Sequence, residues 1–312
     1  MGVALVTGVT GQDGSYLAEQ LASRGERVVG VARRIPAQPA QPGVELVQGD
    51  VLDEAFVTRI VGETQPAEIY HLAGQTSVGA SFGDPAGTFR SIGLGTLHVL
   101  DAVRRAAPAA RVLVASSGEV LGNLGDGAAD EETPFRPLSP YGAAKAAASA
   151  LARSYRAAYG LHVSVAYFYN HESPLRAPTF VTKKIVKAAC RIAGGSTERL
   201  ELGDTSVVRD WGWAPEYVEA ATRILAHDTP DDFVIATGES FSLTRFVESV
   251  FAVLGLNAAE HVSRNPALLR AAEIPVMRGD PRRARERLGW EATVRGEEVA
   301  RRLVEAELQD AR

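Results

Sequence analysis

The chain has little cysteine, little lysine and no long apolar run. Its single cysteine, Cys190, leaves no partner within the sequence, which excludes a disulfide framework and a cysteine-based zinc site. No apolar stretch approaches the roughly 18 residues that span a bilayer. A formal net charge of −5 and scattered histidines give no basic surface for nucleic acid and no metal motif. We expect a cytoplasmic protein that binds no metal, membrane or nucleic acid, since no signal peptide is visible at MGVALVTG.

Short apolar runs alternate with helical patterns through the first half of the 312 residues. Such runs are typical of strands that are buried on both faces of a parallel sheet. The alternation therefore predicts an α/β fold with a doubly wound, Rossmann-type parallel sheet. The predicted strands are 3–7, 28–31, 44–47, 68–72, 111–115, 163–168 and 231–236, and the main predicted helices are 53–62, 88–106 and 139–159.

The pattern loosens after about residue 170. Residues 171–182 resemble a loop, 183–194 a helix, and 199–210 a strand with a polar turn, while 242–254 and 282–308 are amphipathic helices. We expect two domains. The Rossmann domain comprises 1–168 and about 211–240, and a smaller, discontinuous substrate domain comprises about 169–210 and 241–312.

A glycine-rich loop follows the first strand, with the spacing Gly8-x-x-Gly11-x-x-Gly14. Glycines let a pyrophosphate approach the backbone, and the next helix presents free N–H groups to its charge. The loop predicts dinucleotide binding, and its alternative is an ordinary tight turn. Its polar residues, the further candidate cofactor contacts, are Thr10, Gln12 and Asp13.

The end of the second strand indicates which dinucleotide binds. An NAD-binding fold places an acidic residue there for the ribose hydroxyl, whereas this chain has Arg33 and Arg34. Guanidinium groups suit a 2′-phosphate, so NADP is favoured over NAD, and the alternative is a solvated basic turn. The next two strands end in further candidate cofactor contacts, which are Asp50, Val51, Leu72, Ala73, Gly74 and Gln75.

Tyr141 and Lys145 lie four residues apart in SPYGAAK and share one face of a predicted helix. A nearby ammonium lowers the pKa of a phenol from about 10 towards neutrality, so the pair can shuttle a proton for a carbinol. Ser117 and Glu119 follow another strand end in ASSGEV and supply a hydroxyl and a carboxylate. The alternatives are a solvated helix face and an exposed loop glutamate.

The segments TGVTGQDGSYLAE, IYHLAGQTSV, ASSGEV, SPYGAAK, NHESP, TFVTKKI and RDWG together resemble the GDP-mannose 4,6-dehydratases, from residue 3 to about 290. That family belongs to the extended short-chain dehydrogenase/reductase superfamily. The resemblance implies NADP and a GDP-hexose such as GDP-mannose, which is oxidised at C4, loses water across C5 and C6, and receives the hydride back at C6. The product would be a 4-keto-6-deoxy sugar.

The resemblance also implies roles for single residues. Tyr141, with Lys145 and Ser117, would take the C4 hydroxyl proton, and Glu119 would remove the C5 hydrogen. His171 and Arg176 would line the cofactor. The substrate would contact Ser117 and, beyond it, Asn170, Glu172, Val181, Lys184, Arg209 and Arg270, of which Lys184 and Arg209 would hold the diphosphate.

The chain departs from the family pattern at several places. Gly118 stands where a polar residue is expected beside Glu119, and His71 replaces an asparagine of the fourth-strand motif. The loop 35–43 is shorter than the family loop that reaches a neighbouring subunit. The resemblance implies a homodimer through helices 88–106 and 139–159, with a tetramer possible. The alternative functions are a GDP-sugar 4-reductase or epimerase of the same superfamily, and a non-enzymatic NADP sensor.

Overall fold

The computed structural model describes residues 2–36 and 42–310. Its strands are β1 Val3–Thr7, β2 Arg27–Ala32, β3 Val44–Gln48, β4 Glu68–His71, β5 Arg111–Ser117, β6 Val163–Phe168, β7 Asn170–Glu172, β8 Leu200–Leu202, β9 Val208–Trp213, β10 Asp232–Ile235, β11 Ser240–Ser242 and β12 Val262–Arg264. Its α-helices are α1 Gln12–Ser23, α2 Glu54–Thr64, α3 Val78–Ser81, α4 Pro85–Phe89, α5 Gly95–Ala106, α6 Pro140–Tyr159, α7 Val181–Ala193, α8 Ala214–Ala226, α9 Leu243–Val253, α10 Ala258–His261, α11 Arg282–Leu288 and α12 Glu297–Asp310.

Seven strands form one parallel sheet in the order β10-β6-β5-β4-β1-β2-β3. The predicted doubly wound α/β fold is therefore confirmed. The strand order reverses between β1 and β4, and open sheets of this type bind ligands beyond the carboxyl ends of the strands at that reversal. The glycine-rich loop after β1 lies at this point.

Helices cover both faces of the sheet. On one face α1 packs against α8, and their apolar residues join those of the sheet in a cluster that includes Leu17 and Ile224. On the other face α2 packs against α5 and α5 against α6, in a cluster that includes Ile60 and Val99. The strands are apolar on both faces because both are covered.

A third apolar cluster lies outside the main sheet and is formed by α7, β8, β9, α9 and α12, with Phe246 and Leu303 fully buried. Two small sheets accompany it, β11-β9-β7 and β12-β8. These elements come mostly from 169–210 and 241–312, which supports the two-domain division that we propose. The segment 282–292 packs instead on the α1 and α8 side of the main sheet through Ala284 and Trp290.

The structure differs from the predicted elements in three regions. The predicted helix 88–106 is α4, a π-helical segment Arg90–Leu94 and α5, and Pro85 starts α4 behind an Asp84 cap. The predicted loop 171–182 contains β7 and the start of α7. The amphipathic stretch 282–308 contains two helices, α11 and α12. Apolar periodicity does not register a π turn or a break at a glycine such as Gly289, whose φ of 60° ends α11.

Candidate active site

A cavity of about 650 Å³ lies beyond the carboxyl ends of β5 and β6 and is closed by α7 and the segment after β12. It brings together side chains that are far apart in the sequence. The predicted site residues that line it are Asp13, Leu72, Ser117, Glu119, Tyr141, Lys145, Asn170, His171, Glu172, Arg176, Val181, Lys184, Arg209 and Arg270. The other predicted cofactor residues follow the carboxyl ends of β1 to β4.

Tyr141 and Lys145 occupy the start of α6. Ser139 caps this helix by accepting a hydrogen bond from the Gly142 N–H at 3.0 Å, and Pro140 follows at a position where its missing N–H costs nothing. Both side chains are buried, and Lys145 Nζ donates to the Ala115 carbonyl at 2.6 Å. The helix start and the end of β5 therefore hold the pair at the cavity.

The protein environment raises the pKa of Tyr141 to about 12, mainly because its ring is buried. The prediction of a phenol pKa near neutrality was wrong for the protein alone. The Lys145 ammonium is hydrogen-bonded to the Ala115 carbonyl and lies 5.9 Å from the centroid of the Tyr141 ring. Burial lowers the pKa of Lys145 to about 8. The Ser117 hydroxyl opposes part of the rise at Tyr141.

Glu119 lies in a short 3₁₀ turn, Gly118–Val120, directly after β5. Ser117 Oγ accepts a hydrogen bond from the Glu119 N–H at 3.2 Å and so fixes the turn. Glu119 is 8% exposed, and its burial raises the pKa of the carboxyl, against the opposing charges of Arg209 and Arg270. A carboxyl with a raised pKa in a cleft is suited to accept and return a proton.

The glycine-rich loop fits a closely bound pyrophosphate. A Cβ at Gly14 would lie 2.3 Å from the Gly8 carbonyl oxygen, and Gly8 has a φ of 75°. Helix α1 begins after Gly11 with no side-chain cap, so no capping side chain occupies its first N–H groups. Backbone alone forms this cradle, and the residues present fit a dinucleotide.

Asp13 and His171 meet across the cavity. His171 Nε2 lies 2.9 and 3.0 Å from the two Asp13 carboxylate oxygens, and Nδ1 lies 2.7 Å from the Tyr169 carbonyl oxygen. Gln12, beside Asp13, donates to the His171 carbonyl at 3.1 Å and accepts from the Ser173 hydroxyl at 2.9 Å. These contacts join α1 to β7 and the loop that follows it.

The candidate cofactor residues after β2 and β3 follow the ends of these strands. Arg33 and Arg34 follow β2 and are exposed, and residues 37–41 of the shortened loop lie outside the described residues. Asp50 accepts a hydrogen bond from the Leu52 N–H at 3.0 Å after β3. The buried Val51 contributes its carbonyl oxygen to His98 Nδ1 at 2.9 Å.

The end of β4 is held to β1 by His71, the residue that replaces the expected asparagine. Its Nδ1 lies 2.9 Å from the Thr7 hydroxyl oxygen, which accepts a hydrogen bond from the Ala73 N–H at 3.2 Å. Burial lowers the pKa of His71 to about 3, so the ring is neutral. Gly74 has a φ of 152°, and Gln75 is tied to the Ser77 carbonyl at 2.7 Å. His71 therefore fixes the backbone that carries 72–75.

Arg209 and Arg270 share one carboxylate, Glu273, which the sequence reasoning missed. The Arg209 guanidinium lies 2.5 Å from Glu273 Oε1, and this arginine is 5% exposed. The Arg270 guanidinium lies 3.1 Å from Glu273 Oε2. Burial lowers the pKa of Arg209 while Glu273 opposes this shift. In the sequence, the three-residue spacing between Arg270 and Glu273 was the signal that could have revealed this ion pair. The cluster carries a net positive charge towards the cavity.

The loop after β7 is held by two of the predicted substrate residues. Glu172 is buried, accepts a hydrogen bond from the Thr182 hydroxyl at 2.7 Å and lies 3.3 Å from Arg176. The Arg176 guanidinium in turn lies 3.9 Å from the centroid of the Phe180 ring. The side chain of Glu172 is therefore engaged within the protein, while Asn170 on the same strand faces the cavity.

Helix α7 begins at the cavity. Phe180 precedes it without a side-chain cap, so the first N–H groups of a 13-residue helix are available to an anion beside Val181. Lys184 Nζ donates to the Glu201 carbonyl at 2.8 Å, and it also lines the cavity. Lys183, by contrast, pairs with Glu307 at 2.7 Å inside the protein.

Within residues 2–36 and 42–310, no group of three or more His, Cys, Asp or Glu side chains is placed to hold a metal ion. Over the same residues, no helix is both long enough and apolar enough to cross a bilayer.

Comparison with known proteins identifies similar sequences and structures. A sequence model of one family, described as GDP-mannose 4,6 dehydratase, matches residues 5–303. GDP-mannose 4,6 dehydratase 2 from Caenorhabditis elegans is 38% identical over 339 residues, which cover 98% of this chain and 89% of the relative. MoeE5 in complex with UDP-glucuronic acid and NAD superposes with a TM-score of 0.87 at 28% identity, over 99% and 100% of the two chains. RMD from Pseudomonas aeruginosa complexed with NADPH gives 0.82 at 25% identity, over 99% and 100%.

Proposed function

Because the chain belongs to the GDP-mannose 4,6-dehydratase family, we propose that it converts GDP-mannose to the 4-keto-6-deoxy derivative with NADP as its bound redox cofactor. The observation that carries this proposal is the buried Glu119 in the same cavity as Tyr141 and Lys145. A 4-reductase or epimerase requires a proton shuttle at C4, but no carboxylate at C5. The cavity therefore favours dehydration over these alternatives.

Tyr141 acts at the C4 hydroxyl. Its phenol oxygen accepts the hydroxyl proton as C4 is oxidised, and the Ser117 hydroxyl positions the sugar oxygen beside it. Lys145 stabilises the phenolate by its charge. When bound, NADP would supply the redox chemistry, a hydride taken from C4 and returned to C6, and the proton that C5 then regains would balance the one that Tyr141 took from the C4 hydroxyl. Because the pKa of Tyr141 is about 12 with Lys145 already in place, the phenolate needs further stabilisation, which the positive charge of a bound nicotinamide would supply.

Glu119 acts at C5 and C6. The C4 ketone acidifies the C5 hydrogen, and the Glu119 carboxylate removes it as a proton. The same carboxyl then donates a proton to the leaving C6 hydroxyl, so that water departs and the sugar gains a C5–C6 double bond. Burial raises the pKa of Glu119 and brings its protonated and ionised forms closer in energy near neutral pH.

The diphosphate of the substrate is proposed to bind between Arg209, Arg270 and the start of α7. Arg209 contributes positive charge while its terminal nitrogens are held by the Val208 carbonyl and Glu273, and the uncapped N–H groups of α7 add favourable partial charge. Lys184 supplies a further cation at the rim. The sugar then extends from this end towards Asn170 and Tyr141.

NADP rather than NAD is proposed because Arg33 and Arg34 are exposed at the end of β2 without an acidic neighbour. RMD, whose structure contains NADPH, has the same fold. Replacing both arginines with alanine should weaken NADPH binding roughly 10-fold or more and leave NADH binding unchanged, because only NADPH carries the 2′-phosphate. Fluorescence titration of both dinucleotides measures this. Equal weakening for NADH would contradict the assignment.

A homodimer is proposed through α5 and α6. The outer face of α6 carries exposed small residues at seven-residue spacing, Ala143, Ala150 and Ala157, which permit close helix packing.

We also propose a cytoplasmic location, in keeping with a single half-buried cysteine.

The proposed reaction is tested by incubating the protein with GDP-mannose and NADP⁺ and following the sugar by mass spectrometry and the cofactor by absorbance. Loss of one water from the sugar without net NADPH supports dehydration. Accumulation of NADPH, or a product that keeps its water, would contradict it.

A further inference from the structure

The first turn of α1 carries a carboxylate, Asp13, at the place where the pyrophosphate of a dinucleotide binds. A helix N-terminus attracts anions, but two anions at one terminus repel each other, and burial reduces the screening by water. Asp13 remains ionised, since His171 lowers the pKa of its carboxyl despite burial. A cofactor site with this residue needs a cation to neutralise it.

His171 supplies this cation, and its hydrogen bonds show that it is charged. Nδ1 faces the Tyr169 carbonyl oxygen at 2.7 Å, and a carbonyl only accepts, so Nδ1 carries a proton. Nε2 faces both oxygens of the Asp13 carboxylate at 2.9 and 3.0 Å, so Nε2 carries a proton as well. A ring that donates from both nitrogens is an imidazolium.

The surroundings of the pair keep it in place. The His171 ring is buried and stacked on Tyr217 of α8, with ring centroids 4.6 Å apart. Burial lowers the pKa of His171, and so does the charge of Arg176 on the loop after β7, but Asp13 raises this pKa and prevails. Asp13 also acts on Lys145 and Tyr141. It opposes the lowering of the Lys145 pKa by burial, and it adds to the rise of the Tyr141 pKa that burial causes.

We infer that His171 is a positioning residue of the cofactor site, which neutralises Asp13 and thereby allows the first turn of α1 to accept the pyrophosphate. This inference rests on the proposed function. It gives the imidazole a task beyond lining the cavity, and it ties cofactor affinity to the protonation of a residue on β7. Once His171 loses its proton, Asp13 loses its main compensating charge beside the pyrophosphate, and the smaller contribution of Arg176 remains.

A double-mutant cycle tests the inference with NADPH as the probe, by fluorescence titration at pH 6.5 and low salt. Gln at position 171 keeps a donor for Asp13 but removes the charge, so His171→Gln should raise the Kd for NADPH about 10-fold. Asp13→Asn should bind NADPH at least as tightly as the wild type. The double variant should return to within about 3-fold of the wild type, because the repelling charge is gone. A double variant as weak as His171→Gln would overturn the inference.

The pH dependence of binding provides a second readout that does not require the His171 variant to fold. As pH rises above 6.5 and through the raised folded pKa of His171, the Kd of the wild type should rise, and it should rise more than that of Asp13→Asn, which has no carboxylate to leave uncompensated. Parallel curves for the two proteins would overturn the inference. A wild type that binds neither NADPH nor NADH would instead refute the proposed function, and the inference with it.

The stability of the cofactor-free protein should follow the same titration. The folded pKa of His171 is raised above 6.5, so the pair contributes stability below that value and loses it as pH rises through the folded pKa. The melting temperature of the wild type should therefore fall above neutral pH relative to that of Asp13→Asn. A constant difference between the two would contradict a charged pair.

Discussion

Gly118 shows how a single residue is explained by a contact that the sequence does not reveal. The family pattern suggests a polar side chain beside Glu119, but a Cβ at Gly118 would lie 2.9 Å from the ring of Tyr169. The Tyr169 hydroxyl donates to the Arg278 carbonyl at 3.0 Å, so the ring cannot move away freely. Packing therefore accounts for glycine at this position.

Sequence reasoning found the residue types of the site but not their electrostatics. Tyr141 and Lys145 were identifiable from a four-residue spacing, whereas the rise in the pKa of Tyr141 depends on burial by the whole fold. Likewise Arg209 was identifiable, but its bridge to Arg270 through Glu273 joins segments 64 residues apart. Burial and long-range pairing are properties of the folded chain.

The pKa of Lys145 predicts the alkaline limb of the reaction. Lysine must be protonated to stabilise the Tyr141 phenolate, so kcat/KM should fall as pH rises through about 8. Arginine stays charged in this range, so Lys145→Arg should lose this limb even if its rate is lower. The measurement is kcat/KM from pH 5 to 10 for both proteins. A rate that keeps rising above pH 8 in the wild type would show that Lys145 does not set the limb.

At the scale of elements, the strands of the main sheet and the helices that cover it could be predicted from apolar runs and from the glycines that end them. The β1-loop-α1 unit was predicted almost to its boundaries, because glycine spacing and burial act locally there. Segments such as β7, β11 and β12 were missed, since strands of three residues carry no periodicity. They exist because non-local partners in two small sheets pair with them.

The glycine cradle can be tested with a matched pair of alanine variants. Gly14→Ala would place a Cβ 2.3 Å from the Gly8 carbonyl oxygen, so it should abolish NADPH binding and cost about 1–3 kcal/mol of unfolding free energy. Gly62 lies on α2, where a Cβ would have the Ala106 Cβ at 3.9 Å as its nearest neighbour outside the helix, so Gly62→Ala should gain roughly 0.5–1 kcal/mol of unfolding free energy. Urea unfolding and NADPH titration measure both effects. Normal binding by Gly14→Ala would contradict the cradle.

At the scale of the molecule, the cavity arises because the sheet reversal, α7 and the segment after β12 meet at one end. The sequence predicted a doubly wound sheet, and it predicted the pieces of the second domain with approximate bounds. The order of a parallel sheet is fixed by local crossover units, whereas the third apolar cluster is assembled from segments spread over about 120 residues. Its packing therefore had no local signature.

The proposed dimer is the prediction that belongs to this scale. Ala150→Glu would place an unpaired charge on the outer face of α6, so the variant should run as a monomer in size-exclusion chromatography with light scattering. Ala252→Glu, an exposed alanine of α9, should leave the mass unchanged. A dimer that survives Ala150→Glu would place the interface elsewhere.

The role of Glu119 is tested most directly by single turnover of Glu119→Gln with GDP-mannose and NADP⁺. Glutamine keeps the size of the side chain but cannot remove the C5 proton, while Tyr141 and Lys145 remain intact. We predict that dehydration slows by about 100-fold or more and that NADPH and a 4-keto hexose still carrying its C6 hydroxyl accumulate. Dehydration by Glu119→Gln at the wild-type rate would contradict the account.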